Sequence, residues 1–191
     1  VIVDDTANIP RAAKDIVDGA SFDNNVLCIA EKEAYCFEEV TDQLKEEMKK
    51  HGAYEISGKQ IEDLISLVFV DPDGEHPKVN TKWVGIDAWR ILREIDIRVN
   101  EDVRLIIAEV LDEHPFVNAE MLMPVLPIVR VNSIEEALER AKRAEHGFRH
   151  TACMHSESVS NMSYVARYID TTIFVKNAPS YAGLGFGGEG H

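Results

Sequence analysis

Residues 127–155 read PIVRVNSIEEALERAKRAEHGFRHTACMH. Pro127 to Val131 is an apolar run rich in β-branched residues and predicts a strand. Ser133-Ile134-Glu135-Glu136 carries the Ser-x-x-Glu capping signature, so a helix starts there and runs to Glu145. Gly147 ends it. Thr151 to His155 returns as a second strand. A strand, a capped helix and a strand in succession are the unit of a parallel sheet.

The same alternation extends outward in both directions. Upstream, Val1 to Asp4 predicts a short strand, and Asn8 caps a helix whose apolar face is Ala12, Ala13, Ile16, Val17 and Ala20. Ala34 to Phe37 predicts a strand, Val40 to Lys50 a charged surface helix and Gln60 to Val68 another helix. Asp71-Pro72-Asp73-Gly74 has the residue types of a turn. Asp87 to Ile95 predicts a helix and Arg104 to Val110 a buried strand, while Glu113 to Glu120 has no clear pattern. Downstream, Ser158 to Ile169 is a helix, Thr172 to Lys176 a strand, and a glycine-rich tail closes the chain. The expected fold is one α/β domain with a largely parallel sheet and helices on both faces.

The 191 residues suffice for one domain with a substantial core. The mean hydropathy of −0.18 is ordinary for a globular protein. No stretch reaches the ~18 apolar residues of a membrane helix, and no signal peptide opens the chain. A formal charge of −14 repels phosphate backbones and argues against nucleic acid. Three widely spaced cysteines, Cys28, Cys36 and Cys153, suggest neither a disulfide framework nor a zinc site, and no metal pattern is present. Free thiols fit a reducing cytoplasm.

Cys28 is the first candidate for chemistry. It follows Asp23-Asn24-Asn25, a segment suited to a tight turn or to capping a helix. Backbone N–H groups at such a place favour a thiolate and stabilise an oxyanion. A buried structural cysteine is the alternative, and the local residues leave both open. Cys36 and Cys153 lie in apolar strand patterns and read as core. His150 and His155 are candidate bases; their alternation about Cys153 also fits a half-buried strand with polar edges. Gly183 to Gly188 formally matches GxGxxG, but it opens no helix within a βαβ unit, so it reads as a loop.

Several separate stretches resemble one family. Val1 to Ala13 (VIVDDTANIPRAA) resembles the segment before the nucleophile of aldehyde dehydrogenases. Ser21 to Cys28 (SFDNNVLC) resembles the nucleophile segment of the CoA-acylating branch, with FDN where hydrolytic members have GQ. Glu120 to Val125 (EMLMPV) is similar to the family's E-x-F-G-P-V. Ile173 to Asn177 and the glycine tail resemble its late V-N and F-G-G elements. The nearest form is the propionaldehyde and acetaldehyde dehydrogenases of propanediol and ethanolamine breakdown.

That resemblance implies a three-layer αβα catalytic domain over 1–191, with a cofactor-binding domain upstream of Val1. It implies that a short-chain aldehyde, NAD and CoA meet here, with Cys28 forming a thiohemiacetal and then a thioester. Glu120 matches the carboxylate that holds the nicotinamide ribose. Leu122 stands where the family has Phe near the nicotinamide, and Met123 replaces its Gly. His150, in Arg149-His150-Thr151, resembles a His-Thr pair of the acylating branch, which implies a place near CoA. The parent is expected to be a homodimer or homotetramer, cytoplasmic or held in a bacterial microcompartment. Three other readings remain: a hydrolytic aldehyde dehydrogenase, a cysteine hydrolase, and a non-catalytic binding or oligomerisation module.

Overall fold

The computed structural model describes residues 1–72 and 77–186. Asp73 and Gly74 of the expected turn, and the glycine tail from Gly187, lie outside the described residues. The elements are, in order, β1 (Ile2–Val3), α1 (Ile9–Ser21), β2 (Ala34–Phe37), α2 (Glu38–Lys50), β3 (Ala53–Ile56), α3 (Lys59–Val68), β4 (Phe69–Asp71), β5 (Lys78–Val79), α4 (Ala88–Glu94), β6 (Leu105–Glu109), α5 (Pro115–Asn118), β7 (Val125–Val131), α6 (Ile134–Ala144), β8 (Thr151–His155), α7 (Val159–Tyr168) and β9 (Ile173–Lys176). Short 3₁₀ turns cover Phe22–Asn25, Thr81–Trp83 and Ser180–Leu184.

Seven strands form one parallel sheet in the order β3-β6-β7-β2-β1-β8-β9. Strands β4 and β5 form a separate antiparallel pair. Successive strand side chains point to opposite faces, and both faces are apolar. Val3, Cys36, Leu105, Ile107, Leu126 and Ile128 pack under α1 and α2. Ile2, Tyr35, Phe37, Val129, Val131 and Met154 pack under α6 and α7 on the other face. This double burial explains why the strands read as continuous apolar runs instead of alternating ones. The result is the three-layer αβα sandwich that the sequence predicts.

Three strands escaped the sequence pattern, for physical reasons. β3 is an edge strand of four residues, and the hairpin strands β4 and β5 have three and two. Such short strands bury too little to carry a periodic signal. The unclear segment from Glu113 holds a single helical turn, α5.

The helix caps are those expected. Asn8 Oδ1 accepts from the Arg11 N–H at 3.2 Å, with Pro10 in the first turn. Ser133 Oγ accepts from the Glu136 N–H at 3.1 Å, and Glu136 Oε2 reaches back to the Asn132 N–H at 2.7 Å. Gly147, at φ 81°, lies three residues past the helix, in a left-handed conformation that costs glycine little. Replacing Ser133 by alanine removes one capping bond and is expected to lower stability by about 1 kcal/mol, read as the shift in denaturation midpoint.

Candidate active site

Asp23, Asn24 and Asn25 all lie in the left-handed region, at φ 48°, 51° and 65°. Asp and Asn tolerate this conformation better than other side-chain-bearing residues, which is the physical meaning of the DNN sequence before Cys28. Asn24 Nδ2 donates to Gly85 O and Asp87 Oδ1, both at 3.0 Å. Asn25 is buried, and its Nδ2 donates to Ala20 O at 2.7 Å and Glu31 O at 2.8 Å. Val26 N–H donates to Asp23 O at 3.1 Å, and Ala30 N–H to Leu27 O at 3.1 Å. Cys28 therefore sits in a tight turn, and no helix starts at it. Of the two local expectations, the turn stands and the helix cap falls, because the three left-handed residues redirect the chain.

The Cys28 thiol is exposed. It lines a cleft of about 870 Å³ together with Glu31, Lys32, Glu120, His150 and Cys153. Val1, Glu33 and Thr151 line it too, and these residues lead into or open β1, β2 and β8. The cleft thus lies where those strands begin. At their other ends a polar cluster closes the sheet: Asp4 accepts from Thr6, Ser156 and Asn161, and Asn177 brackets the Ser156 backbone.

Glu120 and His150 reach the cleft from opposite sides of the chain's order. Glu120 lies between α5 and β7, is 59% exposed, and stands 4.0 Å from Lys32 Nζ. His150 precedes β8, is exposed, and its Nδ1 lies 2.6 Å from Thr151 Oγ1. Leu122 does not line the cleft. It is half-buried, at φ 51°, and its carbonyl accepts from the Gly85 N–H at 2.9 Å.

The other sequence candidates separate cleanly. His155 is 1% exposed, its Nε2 has no hydrogen-bond partner among the described residues, and burial holds its pKa down at about 3. The expected polar strand edge is therefore a core position, and His155 is no candidate base. Cys36 and Cys153 are buried as expected. Burial pushes the Cys36 thiol up to about 12 and the Cys153 thiol upward as well, so neither is a ready thiolate.

Two cleft residues were missed by sequence reasoning. Lys32 Nζ donates to Asn25 O at 2.9 Å, Asn25 Oδ1 at 2.7 Å and Leu27 O at 3.3 Å, and so staples the turn that carries Cys28. Burial draws its pKa down, while Glu120 and Glu33 pull it back up. Glu31 is 3% exposed and accepts from Ser180 N–H at 2.8 Å and Ser180 Oγ–H at 2.7 Å. The available signal was an adjacent Glu-Lys pair entering an apolar strand, where charges are expensive unless they have partners.

Burial raises the Glu31 carboxyl from 4.5 to about 7, against the opposing pull of the Ser180 bonds. The folded state then holds this proton more tightly than the unfolded state, so the linked stability falls as pH rises from 4.5 to about 7. Glu31→Gln cannot ionise. The melting-temperature gap between the two proteins is expected to change steadily in the variant's favour over that window, and a constant gap would contradict the buried charge.

Among the described residues no group of three or more His, Cys, Asp or Glu side chains is placed to hold a metal, and no helix is long and apolar enough to cross a membrane.

The profile of the Aldehyde dehydrogenase family matches residues 104–191. The chain is 46% identical over 192 residues to an acetylating acetaldehyde dehydrogenase of Salmonella typhimurium, covering all of this chain and 41% of that protein. It superposes with a TM-score of 0.93 on a Rhodopseudomonas palustris propionaldehyde dehydrogenase solved with bound CoA and an acylated cysteine. That pair shares 48% identity over all of this chain and 43% of the other. It also superposes, at TM-score 0.92 and 46% identity, on a propionaldehyde dehydrogenase from a fucose-utilisation bacterial microcompartment of Clostridium phytofermentans, over 99% of this chain and 42% of that one.

The chain carries an aldehyde dehydrogenase domain.

Its seven-stranded parallel sheet with helices on both faces is the catalytic-domain fold of these aldehyde dehydrogenases. The likeness holds along the whole chain, so the turn bearing Cys28 lies inside the compared region. The chain spans about two fifths of the length of the curated relatives it matches.

Proposed function

We propose that the protein oxidises a short-chain aldehyde, acetaldehyde or propionaldehyde, to its acyl-CoA with NAD, through a thiohemiacetal and a thioester on Cys28. One observation carries the reading. The exposed Cys28 thiol, Glu120 and His150, far apart in sequence, line one cleft of about 870 Å³. Relatives named for this chemistry, among them a structure with bound CoA and an acylated cysteine, support it.

The chain's own groups fit the steps. The Cys28 sulfur attacks the aldehyde carbon, and the carbonyl oxygen becomes an oxyanion. Among the described residues the Cys28 backbone N–H donates to no backbone acceptor, which leaves it for that oxyanion. Bound NAD would supply the acceptor for the hydride that leaves the same carbon. The exposed Glu120 carboxylate suits two ribose hydroxyls, since it accepts but does not donate. CoA then attacks the thioester carbon as its thiolate, its proton having gone to solvent; the bond to the Cys28 sulfur breaks, and the Cys28 thiolate returns. His150 stands at the cleft wall where the incoming CoA would pass. Leu122 is set back from it and acts, in this reading, through the packing around the nicotinamide.

The chain is, in this reading, the thiol-bearing domain of a longer protein whose cofactor-binding domain precedes Val1, and residues 1–191 alone form little or no NADH. The share of the relatives' length that it spans supports this. In this reading the parent is a homodimer or homotetramer in the cytoplasm or a microcompartment; the Clostridium relative, from a microcompartment, supports the second location. NADH formation from propionaldehyde by the intact protein, with and without CoA, tests the reaction. A rate that requires CoA is expected. An undiminished rate without CoA, with free acid as product, would replace this reading with the hydrolytic one.

A further inference from the structure

The segment that carries Cys28 is anchored from two directions already described: Asn24 reaches the backbone before α4, and Lys32 gathers three carbonyl-type oxygens of the turn. A third anchor runs the other way. Glu31, three residues past the thiol, directs its carboxylate to the 3₁₀ turn Ser180–Leu184, where it takes both the N–H and the O–H of Ser180. The carboxylate lies so close over α1 that a methyl group on Gly19 would collide with it. Its backbone carbonyl meanwhile accepts from Asn25. One residue thus joins the thiol's turn, α1 and the late turn. Aromatic contacts follow the same line, with the Phe22 ring 5.1 Å from Tyr181 and 6.1 Å from Phe186.

We propose that Glu31 is a positioning residue for Cys28: its carboxylate clasps the 3₁₀ turn Ser180–Leu184 to the segment bearing the thiol and holds the two at a fixed spacing. The assignment rests on Cys28 being the nucleophile. A buried carboxylate with two good donors makes strong, directional bonds, and removing one partner leaves the other unsatisfied in a dry setting. The groups that act on it are few. The Val1 ammonium approaches from β1, the Cys153 thiol from β8, Tyr181 from the late turn and Lys32 from its own segment. α1 presents Gly19 there, with Lys14, Asp15 and Asp18 grouped around Tyr181. Burial lifts the carboxyl to about 7, so the clasp changes charge in the range where the protein is assayed.

The test uses Glu31→Gln, Ser180→Ala and Gly19→Ala in the intact protein. Backbone amide exchange over residues 22–30 is measured alongside CoA-dependent turnover from pH 6 to 9. Expected are roughly tenfold faster exchange in all three variants and roughly tenfold lower turnover in Glu31→Gln. The limb of the turnover profile near pH 7 is expected to vanish in Glu31→Gln and to persist in Ser180→Ala, which keeps the carboxyl. If Glu31→Gln does not fold, Ser180→Ala and Gly19→Ala decide by exchange and turnover. Unchanged exchange overturns the clasp. Faster exchange with turnover within twofold of normal overturns the positioning role. Absence of aldehyde turnover in the unsubstituted protein would instead overturn the proposed reaction, while exchange still decides the clasp.

Discussion

Alanine in place of Cys28 is expected to lower CoA-dependent NADH formation by at least about 10⁴-fold, with no loss of fold. The size follows from the chemistry. Without sulfur no thiohemiacetal forms, and the hydride would have to leave an uncharged, hydrated aldehyde instead of a tetrahedral oxyanion. The neighbouring thiols cannot substitute. Cys36 is buried between β1 and β7, and Cys153, although it lines the cleft, is held protonated by burial. Stability should stay within about 0.5 kcal/mol of normal, because an exposed thiol contributes little packing. This separates a chemical loss from unfolding. Matched melting curves with turnover retained within tenfold would remove Cys28 from the mechanism and favour a binding module.

The fold was legible because a parallel sheet buried on both faces writes long apolar runs, and because Asn8 and Ser133 mark helix starts with the cap chemistry they then perform. The site was legible in a different way. Nothing in the local residues told an exposed Cys28 from a core cysteine; the family resemblance chose it, and the fold leaves its thiol exposed in a cleft. The DNN segment announced a turn, yet three successive left-handed residues are beyond any propensity rule, since each is held there by a bond to a distant element or by the turn itself. His155 shows the opposite limit. The placing of His150 and His155 about Cys153 suggested a half-buried strand with polar edges, but β8 lies between β1 and β9, so His155 faces a packed layer. Glu31 was missed because its partner Ser180 is about 150 residues away in sequence, and Lys32 because its partners are oxygens brought together only by the folded turn. Charges justified only by tertiary partners leave no periodic trace.

Truncating Phe116 to alanine is expected to cost about 3–5 kcal/mol, the largest stability loss among the changes considered. The ring is fully buried within the cluster formed by α3, α4 and the β6 and β7 strands. It stacks on Phe69 at 6.1 Å and meets the His114 ring edge at 4.6 Å. α5 has only four residues, too short to stand on its own hydrogen bonds, so the ring is what fixes it to the core. A domain of this size is stable by roughly 5–15 kcal/mol, so the loss takes about a fifth of the margin or more. Trp83 is buried in the same cluster, and its fluorescence in a urea titration of the intact protein reports this region directly. Phe22→Ala is the matched control: that ring is 40% exposed and should cost about 1 kcal/mol. The contrast matters for function, because α5 leads within two residues to Glu120. In Phe116→Ala protein that remains folded at low temperature, KM for NAD should rise more than kcat falls, since the carboxylate loses its support while Cys28 keeps its own. Equal costs for the two phenylalanines would mean that the cluster repacks around the missing ring, and that Glu120 is held by Lys32 alone.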